Sequence, residues 1–386
     1  MSSPEHISDP LAGLSLERLR FRTSEKWRRY DPDVLPLWVA EMDCDIAEPI
    51  IDAVTAALRL GDTGYTYGDD YQQALKDFYR IRWSSDFAAE RADLAGDVMH
   101  GITALIEQLT NRGGAVIVNS PVYPPFYLYP KQIGREVVES PLGADGRIDF
   151  EQLEHQFAAQ QGKRAVYLMS NPHNPTGVLH RKDELEQVAA LAEQYGIAVI
   201  ADEIHAPLVS PELRFTPYLT VAGDSEAFSV FAASKAWNLA GIKAAVVASN
   251  EAGEKTFKRY RAMKGIYPSQ LGVIAHVAAM RHGIPWLDAL LPSIERNKYL
   301  LKQLLDQHLP AAQYRIPEAT YLAWVDVRPL DLGPWPANLL VEQARVAFNA
   351  GEYFGSGGAG HIRINLGTSP EIITEAIERT AAAINR

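Results

Sequence analysis

GIAVIADEIHAP, residues 196–207, is the stretch from which the chain is best read. Ile197–Ala201 is an unbroken apolar run, the mark of a strand buried on both faces of a parallel sheet. Gly196 closes the helical pattern DELEQVAALAEQY (183–195), in which Leu185, Val188, Ala192 and Tyr195 share one face. A helix, a glycine stop, a buried strand and then an acidic pair form one turn of an α/β unit, with the carboxylates at the strand end where such sheets bind ligands.

Working outward, AVIV (115–118), AVYLM (165–169), FSVFA (228–232) and AAVVA (244–248) have the same continuous apolar character. A further helix is expected from Pro49 to Gly61, with Ile50, Val54, Ala57 and Leu58 on one face. The expected fold is α/β: a mostly parallel sheet with helices on both faces. Near residue 285 the pattern changes to a Leu-rich helical region, interrupted by Pro292, that runs to about 309. YLAWVDV (321–327) reads as a strand, and a last helix follows Ser369-Pro370. We therefore expect a segment 1–45 packing with a small domain, a large domain over 46–284, and a smaller α+β domain over 285–386.

The length of 386 residues exceeds what one core usually serves. A net charge of −11 argues against nucleic acid and anionic membranes as partners. The start, MSSPEHISDP, is not a signal peptide, and no apolar run is long enough for a membrane span. With Cys44 as the one cysteine, a cytoplasmic protein is expected, and Cys44 is read as a packed residue. The basic stretch KTFKRYRAMK (255–264) is read as the solvated face of a helix. No zinc-type Cys/His spacing is present, so no metal is expected.

The chemistry gathers in a few strings. SKAWNLAG (234–241) follows an apolar strand with Lys235, whose amine can form a Schiff base with an aldehyde cofactor; taken alone, a lysine after a strand is usually solvated. Asp202 suits a carboxylate that keeps a pyridine nitrogen protonated, although a helix cap or an ion pair would also explain it. SNPHNPTG (170–177) is a rigid loop in which Asn174, before Pro175 and open to a cis bond, can donate to a phenolate oxygen. HGITALIEQL (100–109) resembles a glycine turn entering a helix, a natural phosphate cradle. Ser234 and Lys243 flank Lys235 and can add a hydroxyl and a cation. Tyr123 in SPVYPPF (120–126) can lie over a flat ring or simply pack in a core. Arg363 in GHIRINLGTS (360–369) needs an anionic partner, either a substrate carboxylate or an internal acid.

These strings, in this order, resemble the fold-type I enzymes that use pyridoxal 5′-phosphate, the aspartate aminotransferase superfamily. PLWVAEMD (36–43), DEIH (202–205) and FGSGGAGHIRINLGTS (354–369) resemble its MalY/PatB-type cystathionine β-lyase branch, from about Trp27 onward. The resemblance implies that 46–284 is the cofactor-binding domain and that Lys235 is the Schiff-base lysine. Asp202 would face the ring nitrogen, Asn174 and His205 the phenolic oxygen, and Tyr123 the ring. The backbone of Ile102 and Thr103, with Ser234 and Lys243, would hold the phosphate. Tyr65 would reach the phosphate of the other subunit of a homodimer. Arg363 would bind the carboxylate of a small amino-acid substrate, with Trp38 also at the substrate. Lys243 stands where many relatives have arginine, Ala232 where many have serine, and Glu41 and Cys44 where the branch often has aspartate and an aromatic. The implied reaction is β-elimination from cystathionine-like or S-conjugated cysteine substrates to a thiol, pyruvate and ammonia. An aminotransferase on the same scaffold is the alternative, and a non-catalytic regulatory protein a remote one.

Overall fold

A computed structural model describes residues 9–263, 265 and 267–384. The expectations for the first eight residues and for Lys264 lie outside them. Seven strands form the central sheet: β1 (Ala92–Ala95), β2 (Ala115–Ser120), β3 (Glu136–Pro141), β4 (Val166–Ser170), β5 (Ala198–Asp202), β6 (Ala227–Phe231) and β7 (Ala245–Ser249). Their spatial order is β1-β7-β6-β5-β4-β2-β3. The five strands from β3 to β6 run parallel, and β7 is antiparallel to both of its neighbours.

The expected two-sided burial is visible in the alternation of each strand. Val166, Leu168, Ala198 and Ile200 pack on one face with a helix over Val98–Leu109. Tyr167, Met169, Val199 and Ala201 pack on the other against Leu185, Val188 and Ala192. Two strands were not anticipated. β1 is four residues long, and β3, EVVESP, is a partly exposed edge whose charges break the apolar signal.

A smaller layer lies at the C-terminal end. A strand over Leu322–Asp326 pairs antiparallel with one over His361–Asn365, and Leu35–Pro36 pairs in parallel with Val346–Ala347. Leu14, Leu19, Leu35 and Leu37 thus share a core with Val325, Ile364 and Ile373. Pro292 does not interrupt its helix, which runs unbroken over Ile284–His308. An interior proline costs about 3 kcal/mol, but Leu287, Leu290, Leu291 and Ile294 around it are all buried, at about 1.5–3 kcal/mol each. Packing therefore outweighs the local penalty. In the helix Glu48–Leu60, Ile50 and Ala57 face the core as expected, whereas Leu58 is 53% exposed.

The N-terminal segment is anchored by charge. Lys26 and Asp43 are both buried and form an ion pair at 2.7 Å, with Trp27 Nε1 donating to the same carboxylate. Lys26→Met would leave Asp43 buried with only the more distant Arg22, at 3.9 Å, and unfolding free energy is expected to fall by about 3 kcal/mol. Urea denaturation measures this; an unchanged midpoint would mean that Asp43 finds compensation elsewhere.

Candidate active site

The ends of the parallel strands open into one cavity of about 230 Å³. β4 delivers Ser170 and the loop to Asn174, β5 delivers Asp202, Ile204 and His205, and the turn after β6 delivers Ser234 and Lys235. Tyr123 closes one side after β2, and Lys243 and Ala244 lie opposite. This is where an open α/β sheet binds its ligand, because the loops leaving the strands are free of sheet pairing there.

The Lys235 amine donates to the Ala40 carbonyl at 3.0 Å. Burial, reinforced by the Arg363 cation, lowers its pKa to about 8. Asp202 is buried too, accepts from Ile204 N at 3.1 Å, and is pushed up to about 7 mainly by desolvation. Asn174 follows Asn171-Pro172 and precedes Pro175, both peptide bonds cis, and its Oδ1 accepts from Arg363 Nη1 at 3.0 Å. That contact orients the Asn174 amide, since its oxygen is already taken. His205 is buried and held neutral by desolvation, and its Nδ1 has no partner.

Arg363 is buried and forms no ion pair with a carboxylate among the described residues. Burial lowers its pKa to about 10. It donates to Asn174 and, at 3.3 Å, to the Trp38 carbonyl, and its Nε is unsatisfied. A buried guanidinium satisfied only by neutral acceptors is ready for an anion.

The segment 38–44 runs beside Lys235 and Arg363, with Ala40 in the cavity wall, and is not in a sheet. Its carbonyls are nevertheless taken up by side chains. Trp38 O accepts from Arg363, Val39 O from Asn365, and Ala40 O from Lys235 and Tyr321. Glu41 O accepts from Lys26 and Asn365, Met42 O from Arg22 and Asn238, and Cys44 O from Arg22. Side chains here replace a neighbouring strand in satisfying buried backbone.

Two expectations shift. The cradle helix starts at Val98, not at Gly101, because the Asp97 carboxylate caps it by accepting from His100 N at 2.8 Å. The free amides are therefore those of Val98 and Met99, which line the cavity. Ile102 and Thr103 lie one turn further on; Ile102 is fully buried, and Thr103 Oγ1 donates to Met99 O. An aspartate just ahead of a helix is a capping signal, so GDVMHG (96–101) held the clue. Gly101 is instead a packing glycine: a Cβ there would meet Val247 at 2.8 Å. The Trp38 side chain does not line the cavity; it lies edge-on to Tyr30 and under Arg29, and its carbonyl makes the link to the site.

Lys243 lines the cavity and pairs with Asp97 at 2.8 Å. Tyr65 is wholly exposed and lies away from this cavity. Cys44 is packed and buried, its thiol pushed up to about 12 by desolvation. Tyr129, in the cavity wall, and Tyr321, beside Ala40 and His205, had no signal in the sequence.

Comparison with known proteins agrees with this geometry. The family model for aminotransferase class I and II matches residues 33–379. A Mycobacterium tuberculosis protein provisionally named a cystathionine beta-lyase is 45% identical, covering 98% of this chain and 99% of that protein. The cystathionine beta-lyase of Corynebacterium glutamicum is 33% identical over 96% of this chain and 99% of its own. Among solved structures, cystalysin from Treponema denticola, which contains pyridoxal 5′-phosphate, superposes with a TM-score of 0.89 at 26% identity, covering 98% of this chain and 99% of its own. No helix among the described residues is long and apolar enough to cross a membrane.

The Asp202 shift makes a stability prediction. Its folded pKa is raised from 3.8 to about 7, so the ligand-free folded chain keeps a proton that the unfolded chain releases. Stability is then lost as pH rises through that window. Asp202→Asn cannot titrate, and its advantage over the wild type should grow from about pH 4 to pH 7, reaching at most about 4 kcal/mol. Urea unfolding of the ligand-free protein at about pH 5 and about pH 8 measures it; a difference independent of pH would show Asp202 to be ionised throughout.

Proposed function

Since the chain belongs to the class I and II aminotransferase family, we propose that it is a pyridoxal-phosphate-dependent carbon–sulfur lyase. Its substrates would be cystathionine-like or S-conjugated cysteine amino acids, released as a thiol, pyruvate and ammonia. The observation that carries the reading is a half-buried lysine with a depressed pKa, its amine bonded to a main-chain carbonyl, in one cavity with a buried carboxylate.

The residues present fit the cofactor. The unpartnered His205 Nδ1 and the oriented Asn174 amide suit a phenolic oxygen, and Asp202 suits a ring nitrogen. Val98 and Met99 amides, Ser234 and Lys243 suit a phosphate, and Tyr123 a ring face. When bound, pyridoxal phosphate supplies an electron sink for the pair left on the substrate α-carbon.

Each side chain then has a definite task. The Lys235 amine would carry the cofactor and, once released by substrate, accept the α-proton. A pKa near 8 leaves a useful neutral fraction at physiological pH. Asp202, ionised beside a ring cation, would hold the proton on the ring nitrogen; the cation lowers a carboxyl that burial alone raises. Arg363 would fix the substrate carboxylate, and the Asn174 contact would fix Arg363. Together these restrain the substrate on both sides of its reacting carbon.

The same reading includes a homodimer. Ile51, Leu58 and Leu60 of one helix and Tyr65 and Tyr67 of the following loop are all exposed, the two tyrosines almost completely. A contiguous sequence of bare apolar residues suits a subunit interface, with Tyr65 reaching toward the partner's phosphate site.

Cystathionine incubated with the holoenzyme should yield pyruvate over many turnovers with no 2-oxo acid added. Turnover only in the presence of an acceptor would make the protein an aminotransferase instead. Lys235→Ala should lose the borohydride-reducible visible band along with activity; a persistent band would overturn the lysine assignment. Arg363→Gln should raise KM by about 100-fold, the scale of a lost charge-assisted pair, measured by steady-state kinetics.

A further inference from the structure

Lys235 sits on the turn segment 233–243, which also carries Ser234 and Lys243, and both ends of that segment are tied to one buried pair of side chains. Tyr71 projects from the helix Asp70–Trp83 and His276 from the helix Gln270–His282. Both are fully buried. Tyr71 Oη lies 2.7 Å from His276 Nδ1, and the two rings meet edge to face.

The other side of each group reaches the lysine segment. Ala233 N donates to Tyr71 Oη at 3.4 Å, and His276 Nε2 lies 2.8 Å from the Ile242 carbonyl. A carbonyl can only accept, so Nε2 carries the hydrogen and Nδ1 accepts from the phenol. The result is one directional chain: Ala233 N–H to Tyr71, Tyr71 O–H to His276, His276 N–H to Ile242 C=O. It starts one residue before Ser234 and ends one residue before Lys243.

Two more features favour a rigid clamp. Burial lowers the His276 pKa to about 4, so the ring stays neutral and the chain keeps its direction across the physiological range. Gly272, on the same helix as His276, lets the helix press against the segment, since a Cβ there would stand 2.4 Å from the Lys243 carbonyl. Neither Tyr71 nor His276 contacts the cavity occupied by Lys235 through its polar atoms, which are used up in the chain.

The geometry points to Tyr71 and His276 as positioning residues that together set the separation between the Lys235 amine and the Ser234/Lys243 phosphate contacts. This rests on the proposed cofactor site. A lysine that must meet an aldehyde while its neighbours hold a phosphate needs both ends of its segment fixed, because misplacement by about 1 Å can cost about 100-fold in rate. The clamp acts through main-chain groups, so no side chain of the cavity reveals it.

Tyr71→Phe keeps the ring and removes only the hydroxyl. Stopped-flow mixing of the cofactor-free variant with pyridoxal phosphate should show capture slowed at least about 10-fold relative to wild type, while in the reconstituted enzyme kcat falls and KM for cystathionine stays within about 2-fold. His276→Leu should behave in the same way, and His276→Gln, whose amide can still donate to Ile242, should recover part of the loss. The double variant Tyr71→Phe/His276→Leu should be no worse than His276→Leu alone, because one chain is broken once. Wild-type capture rates in Tyr71→Phe, or additive losses in the double variant, would overturn the clamp. If His276→Leu does not fold, Tyr71→Phe decides alone. Wild-type protein that captures no pyridoxal phosphate would instead overturn the proposed function, so the two failures are told apart.

Discussion

The site depends on one amine held largely out of water. Lys235 has a main-chain carbonyl where an exposed lysine would have solvent or a carboxylate, and its pKa falls accordingly. Charged groups are rarely buried without a counterion, because the cost is paid in every unliganded molecule. Arg363 and Asp202 repeat the pattern nearby, each desolvated and each without a salt-bridge partner among the described residues. A ligand bearing an aldehyde, a protonated ring nitrogen and a carboxylate-bearing substrate would satisfy all three. The surrounding fold is built to hold these groups in deficit until then.

The sheet supplies the rigidity for this. β4, β5 and β6 are buried on both faces, so their ends cannot shift without disturbing two layers of packing. Behind Asp202, Glu203 is wholly buried and accepts from Tyr79, Ser229, Asn171 and the Tyr218 amide. One of the two acids in DEIH is thus fully satisfied, and its neighbour is left open toward the cavity. The same dipeptide holds a structural carboxylate and a functional one, and the alternating sides of a strand separate them.

Much of this was legible in the sequence. The continuous apolar strands have no other reading once glycine stops and strand-end polar residues are seen beside them. The order of the strings around Asn174, Asp202, Lys235 and Arg363 led to one cavity, although Arg363 stands behind Asn174 and not in its wall. What escaped notice has physical reasons. The edge strand Glu136–Pro141 carries charges because one side meets solvent. Pro292 looked like a break because local penalty was weighed without the leucines that pack around it. The helix start lies at Val98 and not at the glycine, because the Asp97 carboxylate caps it. The Tyr71–His276 pair could not be seen at all, since its meaning lies in main-chain partners about 160 and 34 residues away.

The segment 38–44 has a consequence for how the protein is made. Three of its carbonyls are held by donors from the far end of the chain, Trp38 by Arg363 across 325 residues and Val39 and Glu41 by Asn365. Leu35–Pro36 likewise waits for Val346–Ala347. A ribosome releases the first forty residues long before any of these partners exist. The full set of contacts on that strip can close only when synthesis is nearly complete. The strip beside Lys235 therefore cannot be complete until residue 365 has been made.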